Sequence, residues 1–354
     1  MKIVVLCGGL STERNISFLS GTKVCRALRA RGHQAVLVDL FMGLEDVTED
    51  PASLFEDLPE LPARAFDGKA PNLEEVRASR KWKSPSLFGK DVLEICRLAD
   101  MVFVALHGMN GEDGRVQATF DMLGIPYTGS GYLGAAMAMD KMITKEMVKD
   151  KGVRTPAWKT FHAGATAGDF EAELAAEHIA AQIEAPCVIK TPTGGSSVGV
   201  YIVSSQDGVK PAVEACMQFG PDILVEQLIE GREFTCAVLQ DRALPSVEIV
   251  PKADFYNYEN KYRAGATEEI CPGRCTREVE KRMGEMALKV HKILGLRTYS
   301  RSDFIVDKYD NVWFLEVNTL PGMTPTSLVP QEAAAVGISY EDLCEIIVND
   351  ALGR

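Results

Sequence analysis

The chain has 354 residues, 46% of them hydrophobic and 25% charged, with a formal net charge of −12 at pH 7. That length suggests about two to three domains, and the composition excludes a wholly disordered, collagen-like or disulfide-scaffold protein. The acidic balance argues against non-specific nucleic-acid or anionic-membrane binding, so handling phosphates would require local Lys, Arg or a divalent cation.

The first run, residues 2–7, is apolar and β-branched without alternation, as a buried parallel strand requires. Gly8-Gly9 turns the chain, a helix is predicted over about 15–31, and a second strand over 35–38. The opening apolar run is too short for a signal core, and no stretch is long enough to span a bilayer, so neither export nor membrane insertion is expected. Residues 42–90 carry Pro51, Pro59, Pro62, Pro71 and Pro85 among acidic and small residues, and read as an elaborated loop or insertion. A helix near 89–98, a strand over 101–106, a helix over 114–123 and a short strand at 126–127 complete a first domain, residues 1–135. A single helix over 137–150 leads into a second domain, residues 136–225. That domain has helices over 169–184 and 207–217 and strands over 187–190, 198–202 and 223–226. The third, residues 226–354, has antiparallel β structure over 234–250, an irregular segment over 251–275, a helix over 276–294, strands over 301–306 and 312–317, and a last helix over 340–351. Nine scattered cysteines fit reduced thiols in a cytosolic enzyme. Cys271 and Cys275 have no second cluster with which to complete a zinc site.

Asp303 lies on one predicted strand, and Glu316 and Asn318 on the next. Residues two apart on a strand share a face, and a hairpin turn at 308–311 would bring Asp303 to the other two. Two carboxylates and an amide are hard oxygen donors suited to Mg²⁺; a solvated polar face is the alternative. Lys190-Thr191-Pro192-Thr193-Gly194-Gly195-Ser196-Ser197 combines a strand-end lysine with glycines and hydroxyls, suiting it to cradle phosphate or simply to form a hairpin turn. Glu13, after Gly8-Gly9, could bind an ammonium or only complement a helix dipole. His107 opens a Gly-rich polar loop at a strand's carboxyl end, where ligand contact and local hydrogen bonding are both open. Phe255–Tyr262 is aromatic without an accompanying basic tract, which fits a lid and not a nucleic-acid surface. Asn318–Thr324, with Ser327-Leu328 beyond it, could receive an anion or form a Pro-Gly turn.

Together, GGLSTERNISFLSG, VFVALHGMNGEDG, YTGSG with MDK, VIKTPTGGSSVGV, VEQLIEGREFT, YNYENKY and FLEVNTLPGMTPTSLVP resemble the D-alanine–D-alanine ligases, in family order from residue 3 to about 330. The resemblance implies an ATP-grasp fold, of α/β and α+β class, with an N-terminal parallel-sheet domain and two further domains clasping ATP. It implies ligation of two D-alanines through a D-alanyl phosphate for peptidoglycan precursors, with D-alanyl-D-serine or D-alanyl-D-lactate synthesis, or ATP binding without turnover, as alternatives. By the same resemblance, Lys141 and Lys190 contact phosphate, Glu226, Leu228 and Glu233 hold adenine and ribose, and Asp303, Glu316 and Asn318 ligate magnesium. Arg301 and the Gly322 backbone steady the transferring phosphate. Glu13 anchors the first D-alanine with His107 nearby, and Ser327 and Leu328 hold the second. Ser196 and Tyr262 link Glu13 to the closing loop, Tyr262 favouring a D-alanine acceptor. ATP as cosubstrate, two Mg²⁺ ions replaceable by Mn²⁺, a monovalent cation, a cytoplasmic homodimer and no nucleic-acid partner complete what it implies. Thr193-Gly194 departs from the Arg-Glu common in the phosphate loop, and Asn15 replaces a frequent acidic residue.

Overall fold

Three sheets organise the chain, which is represented by a computed structural model describing residues 1–47, 50–62, 71–164, 169–195, 198–251 and 267–353. The first is the parallel sheet β2-β1-β3, formed by β1 (Lys2–Cys7), β2 (Gln34–Asp39) and β3 (Met101–Val104). Each β1 residue from Ile3 to Cys7 is buried, as its unbroken apolar run requires. Helix α1 (Arg14–Ala30) covers the sheet through Val24, Cys25 and Leu28, and the chain turns at Gly32 with φ +84°. Arg14 pairs with Asp39 at the sheet's carboxyl edge and also donates to the Gly9 carbonyl at 2.5 Å.

Among its described residues the 42–90 segment is largely irregular, with a 3-10 turn over Pro51–Phe55, which carries Phe55 into the first core, and a short helix, α2 (Leu73–Ser79). Helices α3 (Val92–Leu98) and α4 (Arg115–Leu123) flank β3. The predicted strand at 126–127 reduces to one bridge, Tyr127 with Val102. The single helix expected over 137–150 is two: α5 (Tyr132–Met139) and α6 (Lys141–Val148). The break is at Asp140, whose carboxylate caps α6 by accepting from the N–H groups of Met142 and Ile143. Lys141 thereby becomes the first residue of a new helix.

The second sheet is antiparallel, β4-β7-β5-β6, from β4 (Trp158–His162), β5 (Cys187–Lys190), β6 (Val200–Val203) and β7 (Asp222–Gln227). Helices α7 (Asp169–Ala180) and α8 (Val209–Met217) back it. Strand β4 was not predicted: it is an exposed edge strand whose polar Lys159, Thr160 and His162 hide the pattern.

The third sheet runs β11-β10-β8-β12-β13, with β9 (Arg242–Ala243) on β8. Its strands are β8 (Gly231–Leu239), β10 (Val247–Pro251), β11 (Thr267–Ile270), β12 (Tyr299–Asp307) and β13 (Val312–Asn318). Helix α9 (Arg277–Ile293), capped by Thr276, packs Val279, Met283, Ala287 and Val290 onto it. An unpredicted helix, α10 (Leu328–Ala335), begins at Ser327; Pro330 sits in its first turn, where a missing N–H costs nothing. The last helix, α11 (Tyr340–Leu352), returns to α1, so the chain's end joins the first core. The three sheets are the physical basis of the three-domain division, which we retain as a proposal. Among the described residues no helix is long and apolar enough to cross a membrane, and all nine cysteines carry free thiols.

Phe304 and Phe314 meet edge to face under the β12–β13 hairpin, with centroids 6.0 Å apart, and both are fully buried. Replacing Phe314 by Ala should destabilise the protein by about 3–5 kcal/mol, because transfer and cavity costs add. Urea unfolding of Phe314→Ala measures this, and a loss below about 1 kcal/mol would show that the hairpin does not depend on that packing.

Candidate active site

Strands β12 and β13 set Asp303 opposite Glu316 and Arg301 opposite Asn318. The register slips just after Asp303, so Leu315 has no partner and the hairpin bends at the polar residues. Arg301 grips Asp303 with two bonds, from Nε at 2.8 Å and Nη2 at 2.9 Å. Asn318 donates its Nδ2 to Asp303 at 3.2 Å, which leaves its amide oxygen for another partner. The Lys141 Nζ, at the start of α6, lies 3.1 Å from Glu316 and donates to the Gly194 carbonyl at 3.0 Å. The hairpin, α6 and the glycine loop therefore converge on one point.

That point joins two adjacent cavities of about 370 and 740 Å³, both lined by Lys141, Gly194, Gly195, Glu233, Asp303 and Glu316. The smaller adds Glu13, His107, Arg301, Asn318, Gly322, Ser327 and Leu328. The larger adds Lys190, Glu226 and Leu228, with apolar walls from Val188, Val200, Ile202, Ile249 and Leu315. Ser196 and Tyr262, also singled out from the sequence, lie outside the described residues, as does the whole of Phe255–Tyr262.

In the larger cavity, Glu226 on β7 is held between two lysines: Lys190 at 2.7 Å on one oxygen and Lys145 at 2.8 Å on the other. Burial favours the neutral acid, but the lysines outweigh it and hold Glu226 below its usual range. Burial pushes Lys145 down to about 8, partly offset by Glu226. Lys190 therefore reaches any phosphate only while shared with a carboxylate. Lys145 was overlooked in the sequence, although it lies one helical turn from Lys141, at the i+4 position.

In the smaller cavity, both His107 nitrogens are used within the protein. Nδ1 lies 2.8 Å from the Leu320 carbonyl, which can only accept, so the proton is on Nδ1 and Nε2 accepts from Ser20 at 2.8 Å. Burial depresses its pKa and keeps the ring neutral despite nearby Glu13. Local hydrogen bonding, one of the two options open in the sequence, is the observed arrangement. Gly108 follows with φ +67°; a Cβ there would lie 2.5 Å from a Glu13 carboxylate oxygen, so only glycine lets the loop approach that acid.

Glu112, likewise unassigned from the sequence, accepts from Gly108 N at 2.9 Å on one oxygen, and from Thr319 N at 3.0 Å and Leu320 N at 2.9 Å on the other. It ties the His107 loop to the chain leaving Asn318. The signal was present as the Glu112-Asp113 step inside a Gly-rich loop, but nothing local shows that its partners lie more than 200 residues on. At the far wall, Ser327 starts α10, yet its hydroxyl is engaged with Thr324 at 2.8 Å and makes no cap bond, so the helix start that Ser327 and Leu328 present to the cavity wall has no side-chain cap and suits an anion.

Hard oxygen donors at Asp303, Glu316 and Asn318 suit a divalent cation such as Mg²⁺, and the free amide oxygen of Asn318 supports that fit. Among the described residues no three His, Cys, Asp or Glu side chains form a metal cage, so the set is two carboxylates and an amide. A parallel α/β unit followed by two antiparallel sheets, with lysines and an acidic hairpin meeting between the sheets, defines the ATP-grasp class of ligases. Residues 2–130 match the family model described as D-ala D-ala ligase N-terminus, and residues 147–349 match D-ala D-ala ligase C-terminus. A D-alanine–D-alanine ligase of Pediococcus pentosaceus is 40% identical, covering 98% of this chain and 97% of its own. One from Geobacter sulfurreducens is 38% identical, over 99% and 94%. Among solved structures, a Bacillus anthracis D-alanine–D-alanine ligase complexed with ATP superposes with a TM-score of 0.73 at 27% identity, over 100% and 98% of the two chains. The VanG D-Ala:D-Ser ligase of Enterococcus faecalis gives 0.73 at 28%, over 99% of each. The chain belongs to the D-alanine–D-alanine ligase family.

Glu112 yields a pH prediction. Burial, with Glu13 as a like charge, raises its pKa from 4.5 to about 7, against the Leu320 and Gly108 N–H bonds and nearby Arg301, which favour the anion. A carboxyl with a raised folded pKa contributes stability fully below its unfolded value and loses it as pH rises through the folded one. Between pH 4.5 and 7 the protein should therefore lose on the order of 3 kcal/mol from this group. Denaturant titrations across that window should show Glu112→Gln lacking this component; an identical pH slope would refute it.

Proposed function

We propose that this protein joins two D-alanines into D-alanyl-D-alanine at the expense of ATP, as a step in making peptidoglycan precursors. The observation that carries the reading is the junction itself: Lys141, Arg301, Asp303 and Glu316 stand between a cavity with apolar walls and one bounded by Glu13 and the start of α10. Full-length similarity to D-alanine–D-alanine ligases supports it.

In this reading ATP lies in the larger cavity, its adenine between the apolar walls and beside Glu226 and Leu228, its ribose near Glu233. Lys141 and Lys190 receive phosphate oxygens as point charges. Asp303, Glu316 and Asn318 would hold Mg²⁺ or Mn²⁺, which when bound supplies charge neutralisation of the transferring phosphoryl group. The ion count and a monovalent site belong to the same proposal. Glu13 takes the ammonium of the first D-alanine, leaving its carboxylate to attack the γ-phosphorus of ATP. ADP departs and a D-alanyl phosphate remains. Leu328 and Ser327 take the carboxylate of the second D-alanine, whose amine attacks the acyl carbon. Arg301 and the Gly322 N–H stabilise the tetrahedral oxyanion, and phosphate leaves. Ser196 and Tyr262 close the site over Glu13, excluding water from the acyl phosphate. A homodimer in the cytoplasm is the assembly and location we propose.

The test is mass identification of the product from ATP, Mg²⁺ and equimolar D-alanine, D-serine and D-lactate. D-alanyl-D-alanine should dominate. Predominance of the D-serine dipeptide would shift the assignment toward the activity named for the Enterococcus relative, and ADP release without any dipeptide or ester would defeat it.

A further inference from the structure

Deprotonation of the second amino acid needs a proton acceptor, and the smaller cavity contains a carboxylate to which no role has yet been given. Glu269 lies on β11 and lines that cavity with Arg301, Ser327 and Leu328. Its place follows from register: Ile249 of β10 faces Glu269 on one side and Glu233 of β8 on the other. Directly opposed residues share a face, so Glu269 points to the same side of the sheet as Glu233, two strands or about 10 Å away.

One oxygen of Glu269 is fixed. Gln331, in the first turn of α10, donates its Nε2 to Glu269 Oε2 at 2.5 Å and to the Thr326 carbonyl at 2.8 Å. Gln331 thus anchors the carboxylate within one helical turn of the N–H groups of α10. Among the described residues no donor reaches Oε1. The result is an anion-receiving helix start and a carboxylate side by side in one cavity wall, the complement of a zwitterion whose own carboxylate and ammonium flank one carbon.

We propose that Glu269 receives the ammonium of the second amino acid and acts as its proton acceptor, a residue role that rests on the ligase reading above. One ammonium N–H bond breaks and its proton passes to Glu269 Oε1. The freed lone pair forms the C–N bond to the acyl carbon, and the C–O bond to phosphate breaks with its electron pair leaving on phosphate. The second proton lost from nitrogen departs with the phosphate, which completes a neutral amide.

Surroundings fit the task. Burial raises the pKa of Glu269 above an ordinary glutamate's, while the Gln331 bond and Arg301 of β12 act in the opposite direction. The other charged groups lining that cavity are Glu13, Glu112, Lys141, Glu233, Asp303 and Glu316, and α10 adds the buried Glu332, which accepts from the Ala237 N–H, beside the neutral Gln331; β10 offers Ile249. A carboxylate so raised accepts a proton more readily than an exposed one.

The experiment separates the two chemical steps. Hydroxylamine traps the D-alanyl phosphate as a hydroxamate without needing an ammonium site, so it reports the first step alone. In Glu269→Gln, which preserves size and the Gln331 contact, hydroxamate formation from ATP, Mg²⁺ and D-alanine should stay within about twofold of the parent. Dipeptide formation should fall about 10²-fold in kcat/KM for the acceptor, a typical loss for a proton acceptor. The acid limb of its pH profile should also move. Unchanged dipeptide formation overturns the proposal, and so does an equal fall in both products, which would place Glu269 in the first step or in the fold. Failure of the unsubstituted protein to form either product would instead overturn the ligase reading and this proposal with it.

Discussion

An antiparallel pair of strands cannot choose freely which way its side chains point. Between β12 and β13, Phe304, Val306, Val312, Phe314 and Val317 are driven beneath the sheet against α9 by burial. The bulge after Asp303 then lets Asp303, Glu316 and Asn318 gather on the cavity side, although strict alternation across the pair is lost there. Everything else at the site is referred to that hairpin: Arg301 reaches it from two residues away on β12, Lys141 from the start of α6, and the glycine loop through Lys141.

The same junction explains how an acidic protein handles anions. Asp303 and Glu316 are compensated by Arg301 and Lys141, and Glu226 by Lys145 and Lys190. Each is a partly or fully buried pair in which removal of one partner leaves a costly uncompensated charge. A nucleotide phosphate offers the cations a new anion, and a divalent cation offers the carboxylates a new counter-charge. In the proposed reading, phosphate and metal would replace the two halves of the Asp303–Arg301 and Glu316–Lys141 pairs together at less cost than either alone. Cooperation between nucleotide and metal is what the proposed function expects of this geometry.

Much of this was legible in the sequence because strand periodicity and hard-ligand chemistry are local. Alternation alone puts residues 316 and 318 on one face, and the 308–311 turn brings Asp303 into the same hairpin; that Asp303 faces Glu316 depends on the bulge after Asp303, which no local pattern shows. Strand β4 was hidden by its polar edge face, and the break between α5 and α6 by the otherwise helical 137–150 stretch, in which only Asp140 signals a cap. Long-range partners were beyond local pattern altogether. Glu112 acquires its role from N–H groups at 319 and 320, Lys145 from Glu226, and Glu269 from Gln331; in each case the sequence displays an ordinary charged residue, and folding supplies the partner. The His107 loop was found for the right reason, its place after a buried strand, while the imidazole itself proves to be fully engaged with Leu320 and Ser20.

The central claim is that nucleotide and divalent cation bind as a coupled pair across the β12–β13 carboxylates. Calorimetric titration of a non-hydrolysable ATP analogue, with and without Mg²⁺, measures that coupling directly. The unsubstituted protein should bind the analogue at least about tenfold more tightly with Mg²⁺, within the usual range of coupling between linked ligands, and Glu316→Gln should lose most of that gain. An equal Mg²⁺ enhancement in both proteins would mean that the cation is held elsewhere, and the hairpin would no longer account for the chemistry.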